Sequence, residues 1–269
     1  MQTFTFDFTE WLNIAARWIH VFAGIMWVGQ TYFFTWLDGR FTELEHVLEK
    51  KSDENIWMVH SGGFYLVSKQ KIPKLMPSKL YWFKWEAAIT WMSGITLLIL
   101  VYYLGGLMVS ENVSESTAMW IGIGVLVMTW PVYDFLWNSI KNETLGLIIS
   151  YILIVTIAYT LTHIMDGRAA YIHIGAMFGT IMTANVWQRI LPAQRKMVVA
   201  LNEGKTPDEQ LAHRAKTRSK HNTFMAVPVV FIMISNHYPV TSYGDSYNWV
   251  ILSLLILIGF GAAKIIRKA

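Results

Sequence analysis

The sequence contains no cysteine among its 269 residues. This absence excludes disulfides, iron–sulfur clusters, thiolate-ligated haem and thiol catalysis, because each of them needs a cysteine sulfur. There is also no CxxCH motif for covalent attachment of haem. Any bound metal or haem must therefore be held by histidine, methionine, tyrosine or carboxylate side chains.

Charged residues are scarce, at 15% of the chain, whereas 54% of the residues are hydrophobic and 13 are tryptophan. Such a composition is typical of a polytopic membrane protein. The formal net charge is +4, but the basic residues fall in short segments between apolar stretches. Their placement is therefore a signal of membrane topology, and we expect a lipid bilayer around the chain and no nucleic-acid partner.

Common enzyme motifs are missing as well. The sequence has neither the HExxH zinc motif nor Ser–His–Asp hydrolase spacing. The short GIG at 122–124 follows no predicted strand, so it does not indicate a dinucleotide site.

The sequence predicts an all-α fold, a membrane helix bundle that forms one domain over residues 1–269. Seven stretches are long and apolar enough to span a bilayer. They lie at about 11–37, 85–105, 118–138, 146–164, 168–190, 221–238 and 248–264.

Lysine and arginine set the predicted orientation. Segment 38–84 holds eight of them and segment 191–220 holds seven, whereas 1–10, 106–117 and 239–247 hold none. By the positive-inside rule, the N-terminus lies outside and the C-terminus in the cytoplasm. Segments 38–84 and 191–220 are then cytoplasmic, and we expect the second half of 38–84 to lie at the interface beneath the bundle.

Two histidines fall within the outer half of the predicted hydrocarbon core. His20 in the first span and His173 in the fifth lie at similar depth on different helices, which is the arrangement that a bis-imidazole haem b needs. His237, at the outer end of the sixth span, is the nearest substitute for either ligand. The alternative is that both are core histidines bonded to backbone carbonyls or to serine and threonine.

A second polar group gathers at the predicted cytoplasmic side. A glutamate just inside a span, with histidines from two flanking segments, is able to bind a polar substrate or relay protons. An interfacial salt-bridge network is the alternative. The members of this group are His60, Glu86, Asp134, Arg218, His221 and Asn222.

Four stretches together resemble the membrane domain of the bacterial membrane-bound urate oxidase (urate hydroxylase) family. They are RWIHVFAGIMWVGQTYFFTWLD, MVHSGGFYLVSKQ with LYWFKWEAAITWMSG, RAAYIHIGAMFGTIMTANV followed by PAQRK, and RSKHNTFMAVPVVFIMISNHYP. The positions that this resemblance marks are His20, His60, Glu86, His173, Asn185, His221, Asn222 and His237.

The resemblance implies a multi-pass protein of the bacterial inner membrane that oxidises urate to 5-hydroxyisourate, or acts on a related purine, in purine catabolism. We expect His60, Glu86 and His221 to be catalytic. Because urate is an anion at neutral pH, we expect Arg218, with Asn222 and Asn185, to bind it.

The same resemblance implies transfer of electrons to cytochrome c. Family members usually continue into a C-terminal cytochrome c domain, which this sequence does not contain. We therefore expect a separate periplasmic or membrane-tethered cytochrome c. It would dock on acidic outer loops that contain Glu111, Glu115 and Asp245 and no basic residue.

Two other functions compete with this one. The chain could be a haem-binding assembly or electron-transfer subunit of a larger respiratory complex, with no substrate of its own. It could also be a transporter that uses its histidines as a proton relay. A transporter should show no Soret band, and an assembly subunit should show no urate-dependent reduction of haem.

The orientation yields a first prediction. A fluorescent reporter fused after Ala269 should be active in the cytoplasm, because the basic residues retain that end of the last span inside. The measurement is a pair of fusions, one to a reporter that works only in the cytoplasm and one to a periplasmic phosphatase. Activity of the phosphatase alone would contradict the orientation.

Overall fold

A computed structural model of the chain describes residues 7–47, 55–70, 73, 77–108, 113–244 and 246–267. Over these ranges it contains eight α-helices and one two-stranded hairpin. The elements are α1 (Phe8–Val47), β1 (Asn55–His60), β2 (Gly63–Ser68), α2 (Trp85–Leu98), α3 (Glu115–Ser139), α4 (Glu143–Ile164), α5 (Gly167–Ala184), α6 (Leu191–Asn202), α7 (Glu209–Ser235) and α8 (Asn248–Ile266).

The predicted all-α bundle is confirmed. Five helices are long and apolar enough to cross a membrane: Phe8–Glu45, Trp85–Tyr103, Glu115–Ser139, Glu143–Ile164 and Asn248–Ile266. The other two predicted spans correspond to α5 and α7. These helices carry more polar residues and lie in the interior, where neighbouring helices rather than lipid surround them.

Helix α5 is the centre of the bundle. Most of its side chains are buried, and helices α2, α3, α4 and α7 pack around it. Gly175 allows the closest approach of α7, because a Cβ at this position would lie 2.9 Å from the Ile232 side chain. Small residues therefore set how tightly the two polar interior helices meet.

Two π-helical turns interrupt the α-helical pattern. One, Ile99–Tyr103, ends α2, and the other, Asn185–Ile190, joins α5 to α6 without a break. A π-helical turn shifts the side chains that follow it around the helix axis, and such turns are frequent at functional sites. The second turn places Asn185 and Arg189 toward the bundle interior.

The first helix extends beyond the membrane. Its 40 residues span about 60 Å, roughly twice the thickness of a hydrocarbon core. Leu37 and Phe41 near its C-terminal end pack against Ile56 of the hairpin. The predicted interfacial segment thus contains an antiparallel hairpin rather than irregular chain, because Ser61 and Gly62 both adopt positive φ and form its two-residue turn.

Helix α7 is longer than the predicted sixth span. It begins at Glu209, where the Asp208 side chain accepts the Gln210 N–H at 2.8 Å, and it continues into the bundle to Ser235. The C-terminal part of the predicted cytoplasmic segment 191–220 is therefore the first part of α7. As a result, Arg218 and His221 lie on a rigid element rather than on a loop.

Packing at Gly122 gives a second prediction. A Cβ at Gly122 would lie 2.7 Å from the His173 Nε2. A Cβ at Gly124, two residues further along α3, meets nothing within 4 Å. We expect Gly122→Ala to destabilise the protein by about 1–3 kcal/mol through overpacking, and Gly124→Ala to leave stability unchanged or slightly raised. Thermal unfolding of both variants in the same detergent measures the difference; equal melting temperatures would contradict it.

Candidate functional site: a buried cationic cluster

Asp134 lies between two arginines in the interior. Its carboxylate accepts the Arg189 Nε at 2.9 Å and the Arg218 Nη2 at 3.0 Å, and it forms a second, closer ion pair with the Arg189 Nη2. The three residues belong to α3, the π-helical turn after α5 and α7. One carboxylate against two guanidinium groups leaves one uncompensated positive charge at a largely buried position.

A chain of amides orients Asn185. The Met182 carbonyl accepts the Asn222 Nδ2 at 2.9 Å, so the Asn222 Oδ1 faces Asn185 and accepts its Nδ2 at 3.0 Å. The same Nδ2 also donates to the Tyr133 hydroxyl at 3.1 Å. Both N–H donors of Asn185 are therefore used, and its Oδ1 takes no part in this row of hydrogen bonds.

Tyr133 connects this chain to His221. The Tyr133 hydroxyl lies 2.6 Å from the His221 Nδ1. Since the hydroxyl oxygen already accepts from Asn185, we assign its proton to the bond with Nδ1. The neutral imidazole then carries its own proton on Nε2, which is a donor.

Three buried atoms of this cluster have no hydrogen-bond partner among the described residues. They are the Asn185 Oδ1, the Arg218 Nη1 and the His221 Nε2. All three side chains are at least nine-tenths buried. Leaving such a group unpaired costs about 1–3 kcal/mol, and more when it is charged. Two donors and one acceptor within one network are what a small polar ligand would satisfy.

A large cleft reaches the cluster from one side. It has a volume of about 1330 Å³ and runs between α3 and α4, with α5, α7 and α8 behind it. Tyr133, Trp137 and His221 lie at its polar end, and the Trp137 and His221 rings are 4.2 Å apart between centroids. Arg218 and Asn185 do not line it.

The structure brings Asn185, Arg218, His221 and Asn222 together around Tyr133. The sequence predicted that His221 is catalytic and that the other three bind substrate, and these roles stay predictions. The structure does not bring His60 or Glu86 into contact with them within the described ranges. His60 is exposed at the hairpin turn, where its Nδ1 lies 2.9 Å from the Ser61 hydroxyl. Glu86 accepts the Gln30 Nε2 at 3.0 Å between α2 and α1. The catalytic roles of these two residues stay predictions.

His173 does not present a ligand for haem iron in this arrangement. Its Nδ1 donates to the Ala169 carbonyl at 2.7 Å, so its Nε2 is the acceptor for the Tyr103 hydroxyl at 3.0 Å. The backbone of Gly122 closes the remaining space beside Nε2. Both ring nitrogens are occupied, which is the core-histidine alternative that the sequence left open.

The His20 ring packs against helix α2. Its Nδ1 bonds to the Thr90 carbonyl at 2.9 Å, and a Cβ on Gly94 would lie 2.9 Å from its Cε1. His237, the proposed substitute, is exposed just after α7. Because both nitrogens of His173 are occupied, His20 and His173 do not form a bis-imidazole site as they stand. Haem b stays a prediction through which we derive no chemical step.

Two further points concern metal ligands and the acidic loops expected to receive cytochrome c. In the described part of the chain no three histidine or carboxylate side chains converge as metal ligands. Of the acidic residues expected to receive cytochrome c, Glu115 is exposed in the first turn of α3, whereas Glu111 and Asp245 lie outside the described residues.

Sequence reasoning missed Tyr133, Arg189 and Trp137. Tyr133 directly precedes the Asp134 that was selected, and Arg189 lies four residues after Asn185, on the same side of a helix. The signal for Arg189 was its position four residues after Asn185, near the end of a predicted span. Trp137 carried none, because tryptophan is abundant at both membrane interfaces.

The fold and the cluster define a multi-pass helical membrane protein with a buried cationic group of side chains. The sequence model of the urate oxidase N-terminal family matches residues 7–268. The chain therefore belongs to that family, and the resemblance seen in its sequence is confirmed. No curated protein and no solved structure matches the chain.

The cluster gives a third prediction. Asp134→Asn removes the carboxylate that both arginines share, so we expect a loss of about 3–5 kcal/mol in stability, because a buried charge is left unpaired. Glu143→Gln is the control: it breaks an exposed ion pair with Lys220, 2.6 Å long, and should cost at most about 1 kcal/mol. Chemical unfolding in detergent measures both, and a similar loss in the two variants would contradict the prediction.

Proposed function

We propose that the cluster binds the urate anion and that the protein oxidises it. The observation that carries this proposal is a pair of buried, unpartnered atoms on two side chains that contact Tyr133, the Arg218 Nη1 and the Asn185 Oδ1. The Arg218 guanidinium lies 4.8 Å from the Tyr133 ring centroid, and Asn185 bonds to the Tyr133 hydroxyl. Both side chains therefore meet at Tyr133.

Urate matches the cluster in charge and in hydrogen bonding. The monoanion compensates the single excess positive charge left by Asp134 and its two arginines. A urate carbonyl oxygen accepts from the Arg218 Nη1, and a ring N–H donates to the Asn185 Oδ1. Such charge-assisted bonds are among the stronger polar contacts in proteins. Membership of the urate oxidase N-terminal family supports the choice of urate over other small anions.

The neighbouring residues supply a route for protons. Tyr133 borders the bound anion and donates to the His221 Nδ1, so a proton released at the substrate can pass through the hydroxyl to the imidazole. His221 is thus the acid–base residue of the site. Counted from the monoanion, addition of water at C5 and loss of two electrons gives 5-hydroxyisourate and releases one proton.

Cytochrome c is the electron acceptor that the family pattern implies, and we keep it as a proposed partner. The side of the membrane follows from the predicted orientation, which places the cluster near the cytoplasmic face. Urate would then enter from the cytoplasm, where purine breakdown supplies it.

Binding of urate provides the fourth prediction. In nanodiscs, Arg218→Lys keeps the positive charge but loses the Nη1 donor, so we expect about 10–100-fold weaker binding of urate by calorimetry. Asn185→Asp should weaken it further, because it places a negative charge beside the anion.

Arg168→Lys is the matched control. Arg168 is in α5 but bonds to the Asn236 Oδ1 beyond the far end of α7, so its replacement should not change urate affinity. Unchanged affinity in Arg218→Lys, with the protein folded, would place the urate site elsewhere.

A further inference from the structure

The β1–β2 hairpin is apolar on both of its faces. One face, which contains Ile56 and Val67, packs against α1. The opposite face, which we call the open face, consists of two cross-strand pairs of side chains, each more than half exposed: Trp57 with Leu66, and Val59 with Phe64. An exposed patch of contiguous apolar side chains marks an interaction surface.

The charge-free part of α1 gives the depth of the hairpin in the membrane. No acidic residue, lysine or arginine occurs between Arg17 and Asp38, so residues 18–37 form about 30 Å of uncharged helix. This length matches the thickness of a hydrocarbon core. The hairpin packs against Leu37 and Phe41, at the end of this stretch and one turn beyond it. It therefore lies where the hydrocarbon meets the head groups.

The segment that follows the hairpin, 69–84, is held at the same depth. Near its start Lys69 pairs with Asp38 at 2.5 Å, and near its end the Phe83 ring centroid lies 5.0 Å from that of Phe34. Both ends of the segment thus contact α1 where its uncharged stretch ends.

Segment 69–84 is strongly basic. It contains five lysines and no acidic residue. Lys79 and Lys84 lie over aromatic rings, 5.0 Å from the Tyr81 centroid and 5.4 Å from that of Trp85. Lysines interleaved with exposed aromatic side chains are typical of a membrane interface, and several lysines at this depth attract anionic head groups.

We propose that the hairpin and segment 69–84 together bind anionic phospholipids of the surrounding bilayer. The open face lies among the upper parts of the acyl chains, and the lysines contact the lipid phosphates. The sequence predicts only that this part of the chain is interfacial. The structure adds which face enters the lipid, and the excess of lysine adds which lipids the surface prefers. This surface is separate from the cationic cluster and does not depend on urate.

A second copy of the chain is the competing occupant of the open face. Two copies that met there around a two-fold axis would bring segment 69–84 close to its own counterpart. Five lysines would then face five lysines, which is unfavourable in charge, whereas anionic phosphates compensate them. Lipid is therefore the better partner.

The absence of native cysteine allows a direct test of depth. Val59→Cys places a single bimane fluorophore on the open face. Lys205→Cys places it on an exposed residue just after the turn at Gly204, between α6 and α7, and is the control. Each labelled protein is studied in nanodiscs, with brominated phospholipid as the quencher in the bilayer and iodide as the quencher in water.

We expect brominated lipid to quench the label at residue 59 and iodide to quench it only weakly, with the reverse at residue 205. Quenching of residue 59 by iodide as strong as that of residue 205 would show that the open face lies in water, and overturns the proposal. Protection of residue 59 from both quenchers would show that protein covers the face, and overturns it as well.

A second measurement tests the preference for anionic lipid. Nanodiscs contain equal mole fractions of phosphatidylglycerol and phosphatidylcholine, and only one of the two is brominated in each sample. We expect brominated phosphatidylglycerol to quench residue 59 about two- to fivefold more than brominated phosphatidylcholine, because each lysine near an anionic surface favours such lipids about fivefold at most.

Lys79→Gln should lower this ratio toward one, whereas Lys205→Gln, the matched loss of one exposed lysine, should leave it unchanged. High salt should also lower the ratio, because it screens exposed charges. Equal quenching by the two lipids in the original protein, or equal effects of Lys79→Gln and Lys205→Gln, overturns the anionic-lipid site.

Discussion

The interior of the bundle depends on the Asp134 carboxylate. By pairing with Arg189 and Arg218 it joins three separate helical elements, and it compensates part of the charge of two guanidinium groups in the bundle. The pairing is incomplete in charge, because one carboxylate meets two cations. The same interaction therefore both fixes how the helices meet and leaves the positive charge that an anionic substrate needs.

Satisfied and unsatisfied polar groups distinguish structural from functional residues. His173 has both ring nitrogens bonded to its own bundle, which is how a polar side chain is accommodated in the interior at least cost. Asn185, Arg218 and His221 instead each keep one buried atom without a partner.

Much of the fold follows from local sequence. Hydropathy over windows of about 20 residues is enough to find the helices, because a helix that crosses a membrane satisfies its backbone internally. The hairpin at 55–68 was missed because its two strands of six residues are too short for a hydropathy window of about 20 residues, and the Ser61–Gly62 turn was the better signal. The sequence also could not show that α5, rather than a more apolar helix, is central.

By itself the sequence determined the family and the membrane-spanning architecture. It also identified polar residues in or beside the predicted spans as candidates for a functional site, among them Arg218 and His221. Only the tertiary structure decided which of them act together. The partners of Tyr133 lie 52 and 88 residues away along the chain, and Tyr103 lies 70 residues from His173. Helix packing, not local propensity, sets such contacts, and it is packing that occupies both nitrogens of His173 while leaving the His221 Nε2 without a partner.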